Sequence, residues 1–181
     1  MIMYILPWLI ILLSFIVVAT VLVVLLGVNT IYVNIVTNVP WAKVPTANLE
    51  KIIAAISLPA NALIYDLGCG DGRFLFFAEK KGFRAVGYEL SIYPYLKTVL
   101  HKFISGSTIT IYKTNFFRAD LSQAEAVFVF LTGAVMEKIG KKLKQALKPG
   151  TPVISYGFAI PYWTPTTILE TMPSKTYVYT V

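Results

Sequence analysis

The stretch Asp66-Leu67-Gly68-Cys69-Gly70-Asp71-Gly72 decides the fold class of this chain. A short apolar run, 62–65, leads into it and has the composition of a buried strand, and a helical pattern follows from Arg73 to about Lys81. Glycines two residues apart let the backbone turn sharply out of a strand and leave room for a ligand against the main chain. The stretch therefore predicts a strand–turn–helix unit with a ligand site at the turn.

Two acidic residues flank this glycine turn at the ends of successive predicted strands. Asp66 closes the first strand, and Glu89 closes the next one, 85–89. A carboxylate at Asp66 would repel the pyrophosphate that a dinucleotide-binding turn receives, and it suits a cation such as the ammonium group of S-adenosylmethionine (SAM). Glu89 is placed to accept hydrogen bonds from both hydroxyls of a ribose. Acid, glycine turn, helix, strand and acid together predict that the domain binds SAM.

Strands and helices alternate through the rest of the chain. A helix opens at Val44-Pro45-Thr46, with Thr46 as its predicted N-cap, and Pro59 ends it. Alternation with short turns predicts an α/β, Rossmann-like domain with a mostly parallel sheet and helices on both faces. The further predicted elements are strands 108–112, 126–131, 151–156 and 176–181 and helices 93–104 and 135–147.

The N-terminal segment is apolar and long enough to cross a membrane. No charged side chain occurs from Met1 to Ala42, and the run from Met3 to Val28 would extend about 39 Å as a helix, against a hydrocarbon core of about 30 Å. A cleaved signal peptide is the alternative. No Lys or Arg precedes the run and no small-x-small cleavage site follows Gly27, which favours an uncleaved, single-pass anchor.

Composition restricts the partners of the remaining domain. The formal net charge of +7 lies entirely beyond Ala42, and beside a membrane anchor an anionic lipid surface explains this charge as well as nucleic acid does. No basic run with interleaved aromatic residues stands out, so we expect the membrane and not nucleic acid as the partner. Lysines follow the apolar run and none precedes it, so the positive-inside rule predicts a cytoplasmic domain. Cys69 is the only cysteine and His101 the only histidine. We therefore expect no intramolecular disulfide and no metal site.

Three stretches together resemble a known enzyme family. They are Asp66 to Arg73, the segment Lys80-Lys-Gly-Phe-Arg-Ala-Val-Gly-Tyr-Glu-Leu90, and Phe158-Ala-Ile-Pro-Tyr-Trp-Thr-Pro165. From Val44 onward the chain is similar to the small membrane-anchored, seven-β-strand (class I) SAM-dependent lysine methyltransferases. In mitochondria these modify the ATP synthase c-subunit and the adenine nucleotide translocase. The resemblance implies an anchor at 1–28, a juxtamembrane linker at 29–45 and a methyltransferase domain at 46–181. Asn29–Val39 could equally prolong the helix or follow the membrane surface.

The resemblance also implies which residues form the site. SAM-binding positions fall on Asp66, Gly68, Gly70, Gly72 and Glu89, and the segment near the adenine and the methyl-transfer centre falls on Asn115, Phe116 and Phe117. Asn115 replaces an aspartate of the mitochondrial enzymes, which removes a carboxylate base, and its amide oxygen is expected to orient the substrate amine. Val44-Pro45 is kept without the Pro-aromatic pair directly before it. The candidates for holding substrate are Pro45, Thr46, Pro161 and Trp163.

Three functions remain open at this stage. The chain could methylate a lysine of a membrane-associated protein, methylate a lipid or small molecule at the bilayer, or bind SAM without catalysis. The intact acid–glycine–acid pattern disfavours the third. Pro161 and Trp163 could alternatively close the core rather than hold substrate.

Overall fold

A computed structural model describes residues 2–37 and 43–181 of the chain. One long helix precedes a domain in which strands and helices alternate. The helices are α1 (Ile2–Thr37), α2 (Thr46–Ala54), α3 (Arg73–Lys80), α4 (Ile92–Ser105) and α5 (Gly133–Ala146), with a single 3₁₀ turn at Phe116–Arg118. The strands are β1 (Leu63–Leu67), β2 (Arg84–Glu89), β3 (Thr110–Lys113), β4 (Ala126–Val129), β5 (Pro152–Tyr156), β6 (Thr167–Leu169) and β7 (Thr176–Thr180).

The strands form one seven-stranded sheet in the order β3-β2-β1-β4-β5-β7-β6. Strands β1 to β5 run parallel to one another, whereas β7 is antiparallel to both β5 and β6. The prediction of a mostly parallel α/β sheet is thus confirmed. The strand order reverses between β1 and β4, and ligands of such sheets bind in the crevice outside the carboxyl ends of the strands at this reversal. The glycine turn follows β1 at this place.

The sheet is covered on both faces because its side chains alternate between two apolar clusters. Along β1, Ile64 belongs to the cluster shared with α2 and α3, whereas Tyr65 and Leu67 belong to the cluster shared with α5. The ring of Phe74 on α3 stacks on Phe128 of β4 with centroids 4.1 Å apart. This packing fixes α3, and with it the turn that precedes α3, against the centre of the sheet.

Helix α2 is hydrogen-bonded to the C-terminal part of the domain. The side-chain amide of buried Asn48 donates to the hydroxyl of Tyr156 at 3.1 Å and to the carbonyl of Met172 at 2.7 Å. The prediction that Thr46 is the N-cap is wrong: Pro45 holds that position, Thr46 is the first helical residue, and no side chain caps the helix. Proline suits this place because it lacks a backbone N–H that would need a partner.

Helix α1 continues beyond the apolar run and reaches the domain. Its segment Tyr4–Val33 is long enough to cross a membrane and contains an 18-residue stretch with a mean hydropathy of 3.4, although a signal sequence near an N-terminus can have the same properties. Of the two alternatives for Asn29–Val39, the helix is prolonged as far as Thr37, and residues 38–39 lie outside the described ranges. The side-chain oxygen of Asn29 accepts a 3.1 Å hydrogen bond from the backbone N–H of Ile92 at the start of α4.

Two elements of the structure were not predicted from the sequence. Strand β6, Thr167–Leu169, has only three residues and is largely exposed, so its sequence lacks the apolar alternation by which strands are identified. The 3₁₀ turn at Phe116–Arg118 is equally short. The predicted strands and helices are present, with ends displaced by one or two residues, except that α2 ends at Ala54 instead of continuing until Pro59.

Candidate functional site

The glycine turn has a backbone conformation that residues with a side chain rarely adopt. Gly68, Gly70 and Gly72 all have positive φ, at 86°, 57° and 73°. A Cβ atom at residue 68 would lie 2.9 Å from Cδ2 of Leu131, and one at residue 72 would lie 2.4 Å from Cγ2 of Thr98. Both the conformation and the close packing therefore require glycine at these two positions.

Hydrogen bonds join the turn to the end of β2. The backbone N–H groups of Gly68 and Cys69 both donate to the carbonyl of Tyr88, at 2.9 and 3.0 Å. The N–H of Gly70 donates to Oε2 of Glu89 at 2.9 Å, and Oε1 of Glu89 accepts the N–H of Ser91 at 2.7 Å. The Glu89 carboxylate is therefore held in place by backbone donors of both the glycine turn and the segment that follows β2.

Three carboxylates lie together at this turn. Burial raises the pKa of Asp66 well above its usual value, and the neighbouring carboxylates of Glu89 and Asp71 raise it further. Burial also raises the pKa of Glu89, although its backbone hydrogen bonds oppose the shift. Partial burial would raise the pKa of Asp71 as well, but hydrogen bonds from Arg73 and the charges of Arg73 and Lys97 leave it lowered. Such an arrangement favours a cationic ligand beside Asp66 and Glu89.

A cavity of about 360 Å³ opens beside these acids. One wall is polar and consists of the glycine turn and the two strand-end carboxylates. Most of the remaining lining is apolar or aromatic. Its lining includes Asp66, Gly68, Cys69, Gly70, Asp71, Glu89, Ser91, Asn115, Phe116, Phe117, Phe128, Phe130, Leu131, Val135 and Lys138.

Most of the SAM-binding positions expected from sequence meet in this cavity. Asp66, Gly68, Gly70 and Glu89 are in its lining, and so are Asn115 and Phe116. Gly72 does not line the cavity, but it occupies the N-cap position of α3 and allows that helix to start directly after the turn. The geometry suits SAM, because two carboxylates face the space that a cationic aminoacyl group and a ribose would occupy.

The four substrate candidates are not in the lining. Thr46 and Pro161 are exposed, and Pro45 and Trp163 are partly buried away from the cavity. The ring of Trp163 contacts Tyr179 edge-on with centroids 5.7 Å apart, and its Nε1 lies 3.2 Å from where a Cβ of Gly140 would be. These contacts agree with the alternative in which Trp163 closes the core, and the substrate roles of Pro45, Thr46, Pro161 and Trp163 stay predictions.

Asn115 shapes the loop that carries the aromatic wall. Its side-chain oxygen accepts the backbone N–H of Phe117 at 3.0 Å and caps the 3₁₀ turn. One lone pair of that oxygen is therefore used locally, and its second lone pair and the amide NH₂ group are left to address a ligand. The rings of Phe116 and Phe117 have centroids 4.5 Å apart, and Nζ of Lys138 lies 4.6 Å from the centroid of the Phe117 ring.

Several lining residues were missed by reasoning from sequence. Thr30 and Val33 of α1 contribute to the cavity, as does Val44, whose carbonyl accepts a 3.0 Å hydrogen bond from Nη1 of Arg73. Phe130 and Lys138 also line the cavity. The run Phe128-Val-Phe-Leu131, predicted as the end of strand 126–131, could have identified Phe130. Residues just after a strand at the reversal of strand order face the ligand crevice.

Within residues 2–37 and 43–181, no group of three or more His, Cys, Asp or Glu side chains is arranged to hold a metal ion. Cys69 is buried, and its burial raises the pKa of the thiol well above the usual value. A neutral thiol is a poor nucleophile, so Cys69 fills space between the turn and Gly87.

Comparison with known proteins identifies the relatives of this domain. The family model described as the ANTKMT methyltransferase domain matches residues 66–167, just over half of the chain. The protein-lysine N-methyltransferase of Saccharolobus islandicus (strain REY15A) is 33% identical over 155 residues, which cover 81% of this chain and 96% of that protein. The human lysine N-methyltransferase of the ATP synthase c-subunit is 32% identical over 131 residues, which cover 70% of this chain. The chain spans about half of the human relative's length, 54%.

A solved structure supports the fold and the cofactor. An RNA methyltransferase from Salinibacter ruber, crystallised with S-adenosyl-L-homocysteine, superposes with a TM-score of 0.74 at 27% identity. The match covers 77% of this chain and 94% of that one. The class I methyltransferase fold and the use of SAM, both expected from sequence, are thereby confirmed.

Proposed function

Because this chain belongs to the ANTKMT methyltransferase domain family and is a SAM-dependent methyltransferase, we propose that it methylates lysine side chains of membrane-associated proteins. The observation that carries the proposal is the composition of the cavity, whose lining combines two carboxylates with several aromatic rings. The carboxylates of Asp66 and Glu89 suit the aminoacyl and ribose parts of SAM. The aromatic wall suits the long apolar stem of a lysine side chain.

Alignment is the main task of such a site. SAM supplies a methyl group that is already activated on a sulfonium, so the protein chiefly has to hold the acceptor nitrogen in line with it. Phe116 and Phe117 form a side wall against which a lysine stem can lie, and Phe130 extends it. These rings also exclude water from the path between donor and acceptor.

The acceptor amine must lose a proton before it can react. A lysine with a pKa near 10.4 is only about 0.1% neutral at pH 7.4, which costs roughly 4 kcal/mol. The aromatic wall desolvates the amine, and the positive charge of Lys138 opposes a second positive charge in the same cavity. Both effects lower the pKa of the acceptor, so a proton can leave to water without a carboxylate base. Asn115 then acts as a polar group that orients the amine.

A membrane-associated acceptor is favoured by helix α1. Tyr4–Val33 has the length and hydropathy of a membrane span, and Thr30 and Val33 of the same helix line the cavity. An anchor that also forms part of the cavity wall would hold the site close to the bilayer surface. Lysines just outside the bilayer are therefore the acceptors within reach. We propose a single-pass protein with an uncleaved anchor and a cytoplasmic catalytic domain.

Product analysis tests the proposed acceptor. Purified full-length protein would be incubated with SAM labelled in its methyl group and with membranes from cells that lack the gene. We expect label on protein lysines, identified by mass spectrometry of labelled peptides. An Asp66→Asn variant is the matched control for background transfer. Label confined to the lipid extract would favour the lipid alternative, and label confined to RNA would point to the activity named for the Salinibacter ruber structure.

The topology has a separate test. External protease applied to intact cells should leave the C-terminal domain uncut, and the mature chain should retain residues 1–28. A chain shortened by about 28 residues would contradict the uncleaved anchor. Digestion of the C-terminal domain from outside would contradict the cytoplasmic orientation.

A further inference from the structure

Helix α4 has its apolar side turned away from the protein. Tyr93, Leu96, Leu100, Phe103 and Ile104 are 51, 48, 59, 84 and 73% exposed. They recur at helical spacing on one side of the helix, and Val99 lies on the same side. We refer to these six residues as the α4 face.

The opposite side of α4 packs on the domain with smaller or more polar groups. Buried Thr98 donates through Oγ1 to the carbonyl of Gly70 at 2.9 Å, and Pro94 is buried beside it. The imidazole of His101 lies against the ring of Phe76, with centroids 4.1 Å apart. An amphipathic helix on a water-facing surface has the reverse pattern, with its apolar side inward. The α4 face is therefore arranged for an apolar medium outside the protein.

The position of α4 beside α1 identifies that medium. Asn29 of α1 bonds to the first residue of α4, Ile92. The 30-residue segment Tyr4–Val33 is about 45 Å long, against roughly 30 Å of hydrocarbon, so about ten residues of it extend beyond the hydrocarbon core. Asn29 falls within that extension if the apolar run before it spans the bilayer. Helix α4 thus starts at the level where α1 emerges into the headgroups.

Lysines border the α4 face in the way that an interfacial helix requires. Lys97 and Lys102 lie on opposite sides of the apolar stripe along the helix. Interfacial helices bury an apolar face at the boundary of headgroups and acyl chains and place lysines at the level of anionic headgroups. The net charge of +7 on the chain agrees with an anionic surface.

We infer that the α4 face inserts into the headgroup region of the same bilayer that α1 crosses, so that the catalytic domain lies against the membrane. This inference rests on the proposed anchoring by α1 and deepens it by naming a second lipid contact. Helix α4 also donates to the glycine turn through Thr98. Insertion of the α4 face into the headgroup region would therefore hold the SAM-binding turn at a constant distance from the bilayer.

Depth-dependent quenching tests the inference on the full-length protein. An environment-sensitive fluorophore would be attached to Phe103→Cys after reconstitution into vesicles of zwitterionic and anionic phospholipids. The matched control is Gln145→Cys, which is exposed on α5, the helix that covers the other face of the sheet. Buried Cys69 is present in every variant, and unsubstituted protein gives the background of its labelling. We expect bromine-labelled lipids to quench the label at 103 several times more strongly than the label at 145.

A label on Leu13→Cys separates failure of this inference from failure of the proposed anchor. Strong quenching at 13 with equal, weak quenching at 103 and 145 would overturn insertion of the α4 face while leaving the anchor intact. Weak quenching at 13 would contradict the anchor and the inference together. Crosslinking of position 103 in one chain to position 103 in another, without quenching by lipid, would show that a second copy covers the α4 face. That result would overturn the lipid contact.

A functional readout completes the test. The double variant Leu100→Ser, Phe103→Ser changes only exposed side chains outside the cavity, so its affinity for SAM should equal that of the unsubstituted protein. Methylation of lysines in membrane proteins should fall several-fold, whereas methylation of a soluble lysine peptide should not. An equal fall for both acceptors, or no fall for either, would contradict a positioning role of the α4 face. Absence of lysine methylation by unsubstituted protein would instead contradict the proposed function.

Discussion

Glu89 and Gly70 hold each other in place, because the backbone N–H of Gly70 donates to Oε2 of Glu89 at 2.9 Å. The second strand-end acid therefore supports the glycine turn structurally, in addition to the ribose-binding role that we predict for it. Its removal should act on SAM binding in both ways.

The first prediction is that Glu89→Ala weakens SAM binding by about ten- to a hundredfold. Hydrogen bonds to a charged group are worth about 1.5–3 kcal/mol, and the variant also leaves the N–H groups of Gly70 and Ser91 without their carboxylate acceptor. Isothermal calorimetry with SAM measures the change. Glu137→Ala, an exposed substitution on α5, is the matched control. Equal affinity in both variants would remove Glu89 from the site.

The second prediction is that Asp66→Asn stabilises the SAM-free protein while it weakens SAM binding. Burial and the nearby carboxylates of Glu89 and Asp71 raise the pKa of Asp66, so its charge at neutral pH is unfavourable in the folded state without a cation. Asparagine keeps the shape and removes that charge. We expect the thermal midpoint to rise by a few degrees.

Asp120→Asn is the comparison for this prediction. Hydrogen bonds from Ser122 lower the pKa of exposed Asp120, so its charge is favourable and its removal should not stabilise the protein. Thermal unfolding in detergent, with and without SAM, measures both variants. A midpoint that falls in Asp66→Asn would mean that the buried carboxylate has a cationic partner in the unliganded protein.

The third prediction concerns pH. Asp66 and Glu89 attract a cation only when ionised, and burial raises the pKa of both. SAM affinity should therefore increase as pH rises through this raised range, and binding should release protons, because a bound cation favours the ionised carboxylates. For the same reason the SAM-free protein should lose stability as pH rises through the raised pKa values. Calorimetry in buffers of different ionisation enthalpy measures the released protons, and Asp66→Asn should release fewer.

The fourth prediction is that Lys138→Gln slows methyl transfer at neutral pH and much less at high pH. The positive charge of Lys138 in the cavity lowers the pKa of the acceptor amine, and each pKa unit is worth tenfold in neutral amine. Above the pKa of the acceptor that advantage disappears. The ratio of the rates of the two proteins should therefore approach one near pH 10. Lys144→Gln, an exposed lysine change on the same helix, should leave the pH–rate profile unchanged.

The parts that could be predicted from sequence are those that local patterns determine. The turn from Asp66 to Gly72 could be identified because positive φ and close packing leave a signature of regularly spaced glycines. Glu89 could be identified because the period of strand and helix brings it to the same edge of the sheet. These residues and their neighbours provide the polar half of the cavity.

The remaining parts depend on contacts between distant segments. Thr30 and Val33 line the cavity because α1 continues as a helix and packs against α4, and no local pattern encodes that contact. Trp163 lies in a segment that resembles the family, yet its ring packs on Tyr179 rather than in the cavity. A sequence motif places a residue near a site, but the direction of its side chain follows from packing.

Hydrogen bonds of α2 and of the residues just before it define where an independent folding unit begins. Arg73 binds the carbonyl of Val44, and Asn48 binds the carbonyl of Met172 and the hydroxyl of Tyr156, so the segment before β1 closes over residues from the middle and the end of the chain. A shortened enzyme that starts at Pro59 would expose the apolar surface under α2, whereas one that starts at Lys43 would keep it covered. The first residue of the autonomous catalytic unit therefore lies at or before Val44, well ahead of the glycine turn.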